Sequence, residues 1–174
     1  MSPERQIPPA SLQWSVMRID LRVHKKLYHS LYCDVFSAEG RVYKLYKASI
    51  DPHLNERALT LFEAQSDAYS RAASNDIFKK HTAEYFGQCT IESVVDSDGQ
   101  DISGQYSLES CYSVELLHGP EAKVNSSEIL DNFTYVAEMR RHFRNFGIDT
   151  EDSSVFSYTD PARFKFIDIT TTNF

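Results

Sequence analysis

Residues 154–169 read SVFSYTDPARFKFIDI, and this pattern predicts a β-hairpin that ends in an acid. An apolar pair at 155–156 opens the first strand, and an Asp-Pro dipeptide at 160–161 supplies the turn. A second, largely apolar run at 164–167 leads directly into Asp168. A carboxylate at the end of a buried strand is costly unless it meets a cation, a metal or hydrogen-bond donors. The local pattern leaves two alternatives open: a partnered Asp168, or a solvated acid at a strand end.

The composition indicates a folded chain that is not a general nucleic-acid binder. Of its 174 residues, 41% are hydrophobic and 13% aromatic, which is enough for the core of one domain, or of one domain with a small extension. The net charge of −7 argues against general nucleic-acid binding. There is no apolar run of membrane-spanning length and no apolar core of a signal sequence near the N-terminus. We therefore expect a soluble, intracellular protein without membrane contact.

The cysteines and histidines point to no metal site. Cys33, Cys89 and Cys111 are odd in number and widely spaced, so neither a zinc site nor a disulfide framework is expected. Each lies in an apolar, strand-like run, and we expect all three to be buried small hydrophobes. The six histidines are scattered without ligand spacing, and no Ser/His/Asp or Cys/His set favours a hydrolase.

Apolar periodicity predicts the element order β-β-β-α-β-β-α-β-β. Residues 1–10 hold three prolines and are expected to form a flexible tail. The first helix is expected to begin at an Asp51 N-cap, and the second to run from Ser126 or Ser127 to just before Gly147. Before the final hairpin, strands are predicted at 12–23, 26–37, 41–47, 84–95 and 106–117.

This colinear order resembles the protein-kinase-like fold over residues 27–169. The resemblance implies an α+β fold whose N-lobe is an antiparallel sheet with one long helix, followed by a truncated C-lobe. The implied division is an N-lobe over 11–117 and a hinge with a truncated C-lobe over 118–174, ending just after the hairpin that carries Asp168.

The stretch RVYKLYK at 41–47 resembles the family's third strand, in which a lysine follows a valine by two residues. Lys44 is the candidate, and the resemblance implies that it holds nucleotide phosphates when a helix carboxylate orients it. That acid commonly precedes a large apolar or aromatic position by four residues, and counting back from Tyr69 leads to Gln65. We favour the nearby acid Glu63. If Gln65 holds the position, the clamp on the lysine is absent.

The stretch YSVELLHG at 112–119 resembles the family's strand-to-hinge segment. The resemblance implies that the exposed backbone near Glu115 and Leu117 hydrogen-bonds the edge of an adenine. These two residues, with Lys44 and Glu63, form the implied nucleotide site.

The catalytic-loop pattern fits in two registers. In the family, an Asp is followed five residues later by an Asn that directly precedes the hairpin. With Asp149 as the Asp, Ser154 takes the Asn position, and with Asp152 it is Ser157. The acid of the family's Asp-Phe-Gly site corresponds to Asp168, so the implied metal ligands are Asp168 and Ser154. A serine hydroxyl is a poorer metal ligand than an asparagine carbonyl.

Three departures from the family pattern suggest a degenerate member. Residues 27–33, between the first two strands, contain no glycine, so bulky side chains would block close backbone approach to a phosphate. Ile169 and Thr170 stand where the family has Phe and Gly. The sequence ends at Phe174, without the helices that bind protein substrate and brace the lower lobe of a kinase.

We therefore expect a degenerate kinase-like protein that binds or regulates a protein partner, with residual binding of ATP and Mg²⁺ left open. The alternative is a minimal active ATP-dependent phosphotransferase, in which Asp149 or Asp152 positions the acceptor hydroxyl. A third alternative is a structural α+β domain without a nucleotide site, which would hold if Lys44 and Asp168 lay on opposite faces. Neither nucleic acid nor a membrane is an expected partner.

Overall fold

The computed structural model describes residues 17–172, so the tail predicted at 1–10 and the start of the strand predicted at 12–23 lie outside the described residues. The fold is mixed α+β with a mostly antiparallel sheet. Among the described residues, no helix combines the length and apolar character needed to cross a membrane. The helices are α1 Pro52–Ala73, α2 Ser127–Asn132 and α3 Thr134–Asn145. The strands are β1 Met17–Asp20, β2 Lys25–His29, β3 Cys33–Ala38, β4 Arg41–Lys47, β5 Tyr85–Cys89, β6 Ile91–Val95, β7 Tyr106–Glu115, β8 Glu121–Lys123, β9 Ile148–Asp149, β10 Ser154–Phe156, β11 Lys165–Ile167 and β12 Thr170–Thr171.

The largest sheet has five antiparallel strands in the order β2-β3-β4-β7-β5. The β3–β4 hairpin turns at Glu39 and Gly40, whose φ angles are 51° and 75°. A two-residue hairpin turn of this kind needs left-handed backbone at both positions, which glycine adopts without strain. The strand predicted at 41–47 is confirmed as β4.

The single strand predicted at 26–37 is wrong, because this segment forms β2 and β3 joined by a turn at 30–32. The Ser30 hydroxyl accepts hydrogen bonds from the N–H groups of Tyr32 at 3.3 Å and Cys33 at 3.1 Å. A side-chain acceptor of this kind satisfies backbone donors locally and so allows the chain to reverse.

The long helix α1 begins as predicted. The Asp51 side chain accepts a hydrogen bond from the N–H of His53 at 2.9 Å, and Pro52 occupies the first turn. The buried face of α1 packs against β4, β5 and β7 of the five-stranded sheet. Its members are Ala58, Phe62, Gln65, Ser66, Ala68, Tyr69 and Ala72.

The single strand predicted at 84–95 is also two strands. Strand β5 pairs with β7 in the five-stranded sheet, whereas β6 pairs in parallel with β1. Apolar periodicity predicts that the segments of β5 and β6 are both extended, but it does not predict which strand each one pairs with. The strand predicted at 106–117 ends earlier, at Glu115.

The hairpin predicted at 154–169 is confirmed, with β10 antiparallel to β11. Strand β10 also pairs with β8, a strand that was not predicted, and β9 pairs with β12. The helix predicted from Ser126 or Ser127 to Gly147 is divided into α2 and α3. It breaks at Phe133, whose φ of −129° and ψ of 70° leave the helical region.

Two apolar cores lie on opposite faces of the five-stranded sheet. The larger core, between the sheet, α1 and the hairpin, includes Tyr46, Tyr69 and Phe166. The smaller core, between the sheet and the β1–β6 pair, includes Leu45 and Ile91. Because successive side chains on a strand point to opposite faces, the Lys44 side chain lies with Tyr46 on the α1 face.

Candidate functional site

Lys44 and Asp168 meet in an ion pair. Lys44 lies in the middle of β4, and its Nζ is 2.8 Å from Oδ1 of Asp168, a residue 124 positions away in the chain. The Lys44 side chain is 10% exposed and that of Asp168 is 41% exposed. The ammonium is therefore enclosed, whereas the carboxylate side of the pair opens to solvent.

The hairpin carries Asp168 directly after β11, and residues outside its two strands hold the Asp168 backbone. The φ angle of Asp168 is 59°, in the left-handed region that Asp tolerates better than most residues. The Asp168 N–H donates a hydrogen bond to Tyr69 Oη at 3.2 Å, and its carbonyl accepts one from Ser153 Oγ at 3.3 Å. Strand β4, helix α1 and the hairpin therefore converge on this one residue.

Each member of the pair holds the other in its charged form. Burial acts to raise the pKa of the Asp168 carboxyl, but the Lys44 charge outweighs burial and holds that pKa below its ordinary value. Burial acts to lower the pKa of the Lys44 ammonium, and the Asp168 charge raises it above its ordinary value. Both groups are therefore charged across the neutral pH range.

The acid predicted to hold Lys44 from α1 does not do so. Glu63 is exposed, and Asp168 is the one acid within ion-pair distance of Lys44 in residues 17–172. Glu63 lies outside the row of helix positions that faces the sheet, because that row passes through Phe62 and Gln65. The counter-ion of Lys44 comes from the hairpin instead of from the helix.

Gln65 occupies the buried position on α1, and its side-chain oxygen accepts two hydrogen bonds. Its Oε1 accepts hydrogen bonds from Tyr46 Oη at 2.5 Å and from Tyr112 Oη at 3.1 Å. Tyr112 is the cross-strand neighbour of Lys44, so Gln65 faces the same part of the sheet as the lysine. A neutral amide and two tyrosines thus stand where the resemblance implies a carboxylate clamp.

Of the residues predicted to mark the adenine-binding backbone, Glu115 is the last of β7 and Leu117 lies just beyond the strand. The Glu115 carboxylate accepts hydrogen bonds from Lys165 Nζ at 2.5 Å and from the N–H of Glu84 at 3.1 Å. Leu117 packs against the larger core, and the backbone at 116–118 lies outside any strand. The Glu115 side chain therefore ties β7 to β11, and the role of this backbone in adenine binding stays a prediction.

The predicted loop residues run from β9 to β10: Asp149 is the last residue of β9, Asp152 lies in the connection, and Ser154 is the first residue of β10. Asp149 accepts a hydrogen bond from the N–H of Glu151 at 2.9 Å, and Asp152 is exposed. Ser154 is buried and lies opposite the residue that precedes Asp168. The structure brings Ser154 near Asp168. The catalytic role of Asp149 or Asp152, and the choice between their registers, stay predictions.

The donors around Asp168 do not fit a magnesium ion. Within residues 17–172, there is no group of three or more His, Cys, Asp or Glu side chains that could hold a metal. Asp168 Oδ1 is bonded to Lys44, and the neighbouring hydroxyl of Ser154 is a weak ligand for a cation that prefers carboxylates, phosphates and water.

A separate cavity of about 270 Å³ lies between the β2–β3 turn and the start of α1. Its lining includes His29, Ser30, Leu31 and Lys47. Lys47 Nζ already donates to the Ser30 carbonyl at 2.5 Å and lies 3.2 Å from His29 Nδ1. The cationic group of this cavity is therefore bonded within the protein, and the cavity lies apart from the Lys44–Asp168 pair.

The sequence predicted no site role for Tyr69, which holds the backbone of Asp168, or for the buried acid Asp34. Asp34 is 1% exposed and contacts Lys26 Nζ at 3.0 Å, Lys47 Nζ at 3.2 Å and Tyr106 Oη at 2.6 Å. Strand alternation could have predicted that Asp34 is buried, because this acid lies two residues before a core phenylalanine, Phe36, and so on the same face of β3.

Comparison with known proteins gives no relative for this chain: no family model matches it, and neither a curated protein nor a solved structure is similar enough to count as a match.

Proposed function

We propose that this chain is a degenerate protein-kinase-like module that acts mainly by binding and regulating a protein partner. The observation that supports the kinase-like part is the 2.8 Å ion pair between Lys44 and Asp168. The resemblance requires these two residues to converge. No local feature of the sequence brings them together, because they are 124 positions apart. The two residues therefore do not lie on opposite faces, the arrangement that would favour a structural domain without a nucleotide site.

The surroundings of the pair support binding over catalysis. Helix α1 offers the Gln65 amide where a carboxylate would orient Lys44. The turn between β2 and β3 is formed by residues 30–32 and has no glycine, so close backbone approach to a phosphate is unfavourable. In the described part of the chain, no acid cluster accompanies Asp168 to attract a divalent cation.

A nucleotide titration tests whether Asp168 still binds Mg²⁺ together with ATP. We expect ATP with Mg²⁺ to raise the Tm no more than ATP alone, because Asp168 has Lys44 as its partner and lacks further acids to hold a metal. The measurement is thermal unfolding with ATP, with Mg²⁺ and with both. Lys79→Met is the matched control, since it removes a lysine from an exposed surface ion pair. A Mg²⁺-dependent rise that persists in Lys79→Met but disappears in Asp168→Asn would contradict the proposal.

A minimal phosphotransferase is the second candidate, and the solvent-open side of Asp168 favours it. In this alternative, Lys44 holds phosphates and Asp149 or Asp152 positions the acceptor hydroxyl. Transfer of label from γ-labelled ATP, lost in both Lys44→Ala and Asp168→Ala but kept in Lys79→Met, would favour catalysis over binding alone. Absence of transfer in the wild type would count against it.

The exposed edge of the sheet supports a protein partner. All five residues of β2 are exposed, and Tyr28 is 61% exposed. Within residues 17–172, β2 is the terminal strand of the sheet and no described strand pairs with its outer edge, so this edge can accept an added strand. Lys25 gives this edge a positive charge in a chain of net charge −7, whereas the Lys26 ammonium is paired with Asp34. We infer that the partner presents an extended acidic segment to β2.

Charge reversal at the edge tests this surface. We expect Lys25→Glu to weaken binding of an acidic extended peptide or protein segment at least about tenfold, because it reverses a charge beside the added strand. Lys79→Glu is the matched control, since it reverses an exposed lysine outside the sheet. The affinities are compared by calorimetry at two salt concentrations. Equal loss in both variants would show general electrostatics and would overturn the assignment of β2.

A further inference from the structure

Two cysteines face each other on neighbouring strands. In the antiparallel register of β5 and β7, Cys89 lies directly opposite Cys111. Directly opposed residues point to the same face with Cβ atoms about 4.5–5.5 Å apart. A disulfide needs a Cβ separation of about 3.5–4.5 Å, so a small approach of the two strands would suffice.

The two thiols have different surroundings. Cys111 is fully buried in the smaller core, whereas Cys89 is partly exposed at the end of an edge strand. Arg41 lies on this side of the sheet, and its guanidinium is 4.0 Å from the centre of the Phe86 ring. A partly exposed thiol with a cation and a second thiol beside it matches the setting of reactive cysteines.

The pKa values of the pair follow from these surroundings. A hydrogen bond with the Cys111 thiol lowers the pKa of the Cys89 thiol, and Ser113 and the Arg41 charge add to this effect against burial. Burial raises the pKa of the Cys111 thiol well above its ordinary value. Cys89 is therefore the thiol that ionises first, and Cys111 stays protonated beside it.

We propose that Cys89 and Cys111 form a peroxide-reactive thiol pair that closes to a cross-strand disulfide. The pair lies on the face of the sheet opposite to Lys44, so its oxidation is independent of any nucleotide or partner site. Cys33 is not part of it, since that cysteine lies opposite Tyr46 on the α1 face.

The chemistry balances with a hydroperoxide as oxidant. The Cys89 thiolate attacks one peroxide oxygen, the O–O bond breaks, and the leaving oxyanion takes a proton from water. The Cys111 sulfur then attacks the sulfur of the Cys89 sulfenic acid. The S–O bond breaks as the S–S bond forms, and the hydroxyl leaves as water with the Cys111 proton. Two thiols lose two electrons, and the peroxide receives them.

The disulfide would join β5 to β7 at the point where the chain leaves the five-stranded sheet for β6. The approach that it requires strains the ladder, and strained disulfides have more oxidising potentials and are easily reduced. The pair is therefore suited to reversible oxidation.

Peptide mapping after treatment of the folded chain with hydrogen peroxide tests the pair. We expect a cross-linked peptide joining Cys89 to Cys111, a mass loss of two hydrogen atoms, and Cys33 left as a free thiol. Dithiothreitol should reverse the change. In Cys111→Ser we expect the Cys89 sulfenic acid to persist and to be trapped by dimedone. Cys33→Ser is the matched control and should form the cross-link as the wild type does.

Two results would overturn the proposal: a folded wild type in which all three thiols oxidise at equal rates, or one in which Cys33 oxidises first. Because mapping of the wild type alone decides between these outcomes, the test does not depend on the folding of any variant. Oxidation in urea provides the unfolded reference, in which we expect the three thiols to react alike.

Discussion

Asp168→Asn is expected to lower the free energy of unfolding by about 3 kcal/mol, because it leaves the enclosed Lys44 ammonium without its counter-ion. The value is at the low end for a broken buried pair, since the Asp168 side chain is 41% exposed and solvent screens part of the interaction. Asparagine also tolerates the left-handed φ of 59°, so the change tests the charge and not the backbone. Urea unfolding followed by circular dichroism measures the effect.

Removal of the other member of the pair, Lys44, is the matched control. Lys44→Met is expected to cost less than about 1 kcal/mol, because methionine fits an enclosed site and the exposed Asp168 carboxylate regains water. The asymmetry follows from the exposed fractions of the two side chains, 10% for Lys44 and 41% for Asp168. Equal costs for the two variants would show that the pair is not enclosed on the lysine side.

The difference in unfolding free energy between the wild type and Asp168→Asn depends on pH in a defined direction. The pKa of Asp168 is lowered in the folded chain, so its contribution is present above its unfolded pKa of about 4 and is lost as the pH falls through the folded pKa. The pKa of Lys44 is raised, so its contribution is present below its unfolded pKa of about 10.4 and is lost as the pH rises through the folded pKa. The difference between the wild type and Asp168→Asn should therefore be largest between about pH 5 and pH 9.

Asp34→Ala is expected to lower the free energy of unfolding by about 4 kcal/mol, the largest effect of any single change that we predict. The substitution leaves the buried Tyr106 hydroxyl without its acceptor and removes the shared counter-ion of Lys26 and Lys47. Burial acts to raise the pKa of the Asp34 carboxyl, but its hydrogen bonds with Tyr106 and the two lysines outweigh burial and lower it. The same unfolding measurement applies, and the effect should fade as the pH falls through the folded pKa.

Single lysine removals provide the controls for Asp34. Lys26→Met and Lys47→Met should each cost about 1 kcal/mol, because in each variant the other lysine and Tyr106 still hold the carboxylate. The loss of unfolding free energy in Asp34→Asn should lie between that of the lysine variants and that of Asp34→Ala, since the asparagine amide oxygen still accepts a hydrogen bond from Tyr106. If the lysine variants cost as much as Asp34→Ala, the network is not redundant and the argument for it is wrong.

Local chemistry made part of the fold predictable. The Asp-Pro turn and its flanking apolar runs predict the hairpin that carries Asp168, and the Asp51-Pro52 start predicts α1. Both signals act within a few residues, so no distant contact is needed to read them.

Pairing choices were not predictable in the same way. Whether residues 84–95 form one strand or two depends on hydrogen-bond partners far along the chain, because β5 pairs with β7 and β6 with β1. In residues 26–37 the partner is near, since β2 pairs with β3 across the turn at 30–32, but the extended apolar pattern is the same as that of one strand. The unpredicted strand β8 is three residues long and exists because β10 offers it a free edge.

The candidate site was predictable in part. Lys44 and Asp168 were named from the sequence and do meet in the structure, whereas Glu63 does not join them. The helix faces the sheet through Gln65, and which face is buried depends on how α1 packs. The functional roles of these residues stay predictions.

The sequence by itself determined the hairpin, the start of α1 and the presence of an acid directly after a buried strand, because turn and cap chemistry acts locally. Only the tertiary structure decided that Asp168 pairs with Lys44, that Gln65 takes the place of an acid and that Cys89 faces Cys111. These contacts join residues far apart in the chain. Strand register and helix packing set them, and neither is encoded within a short stretch of sequence.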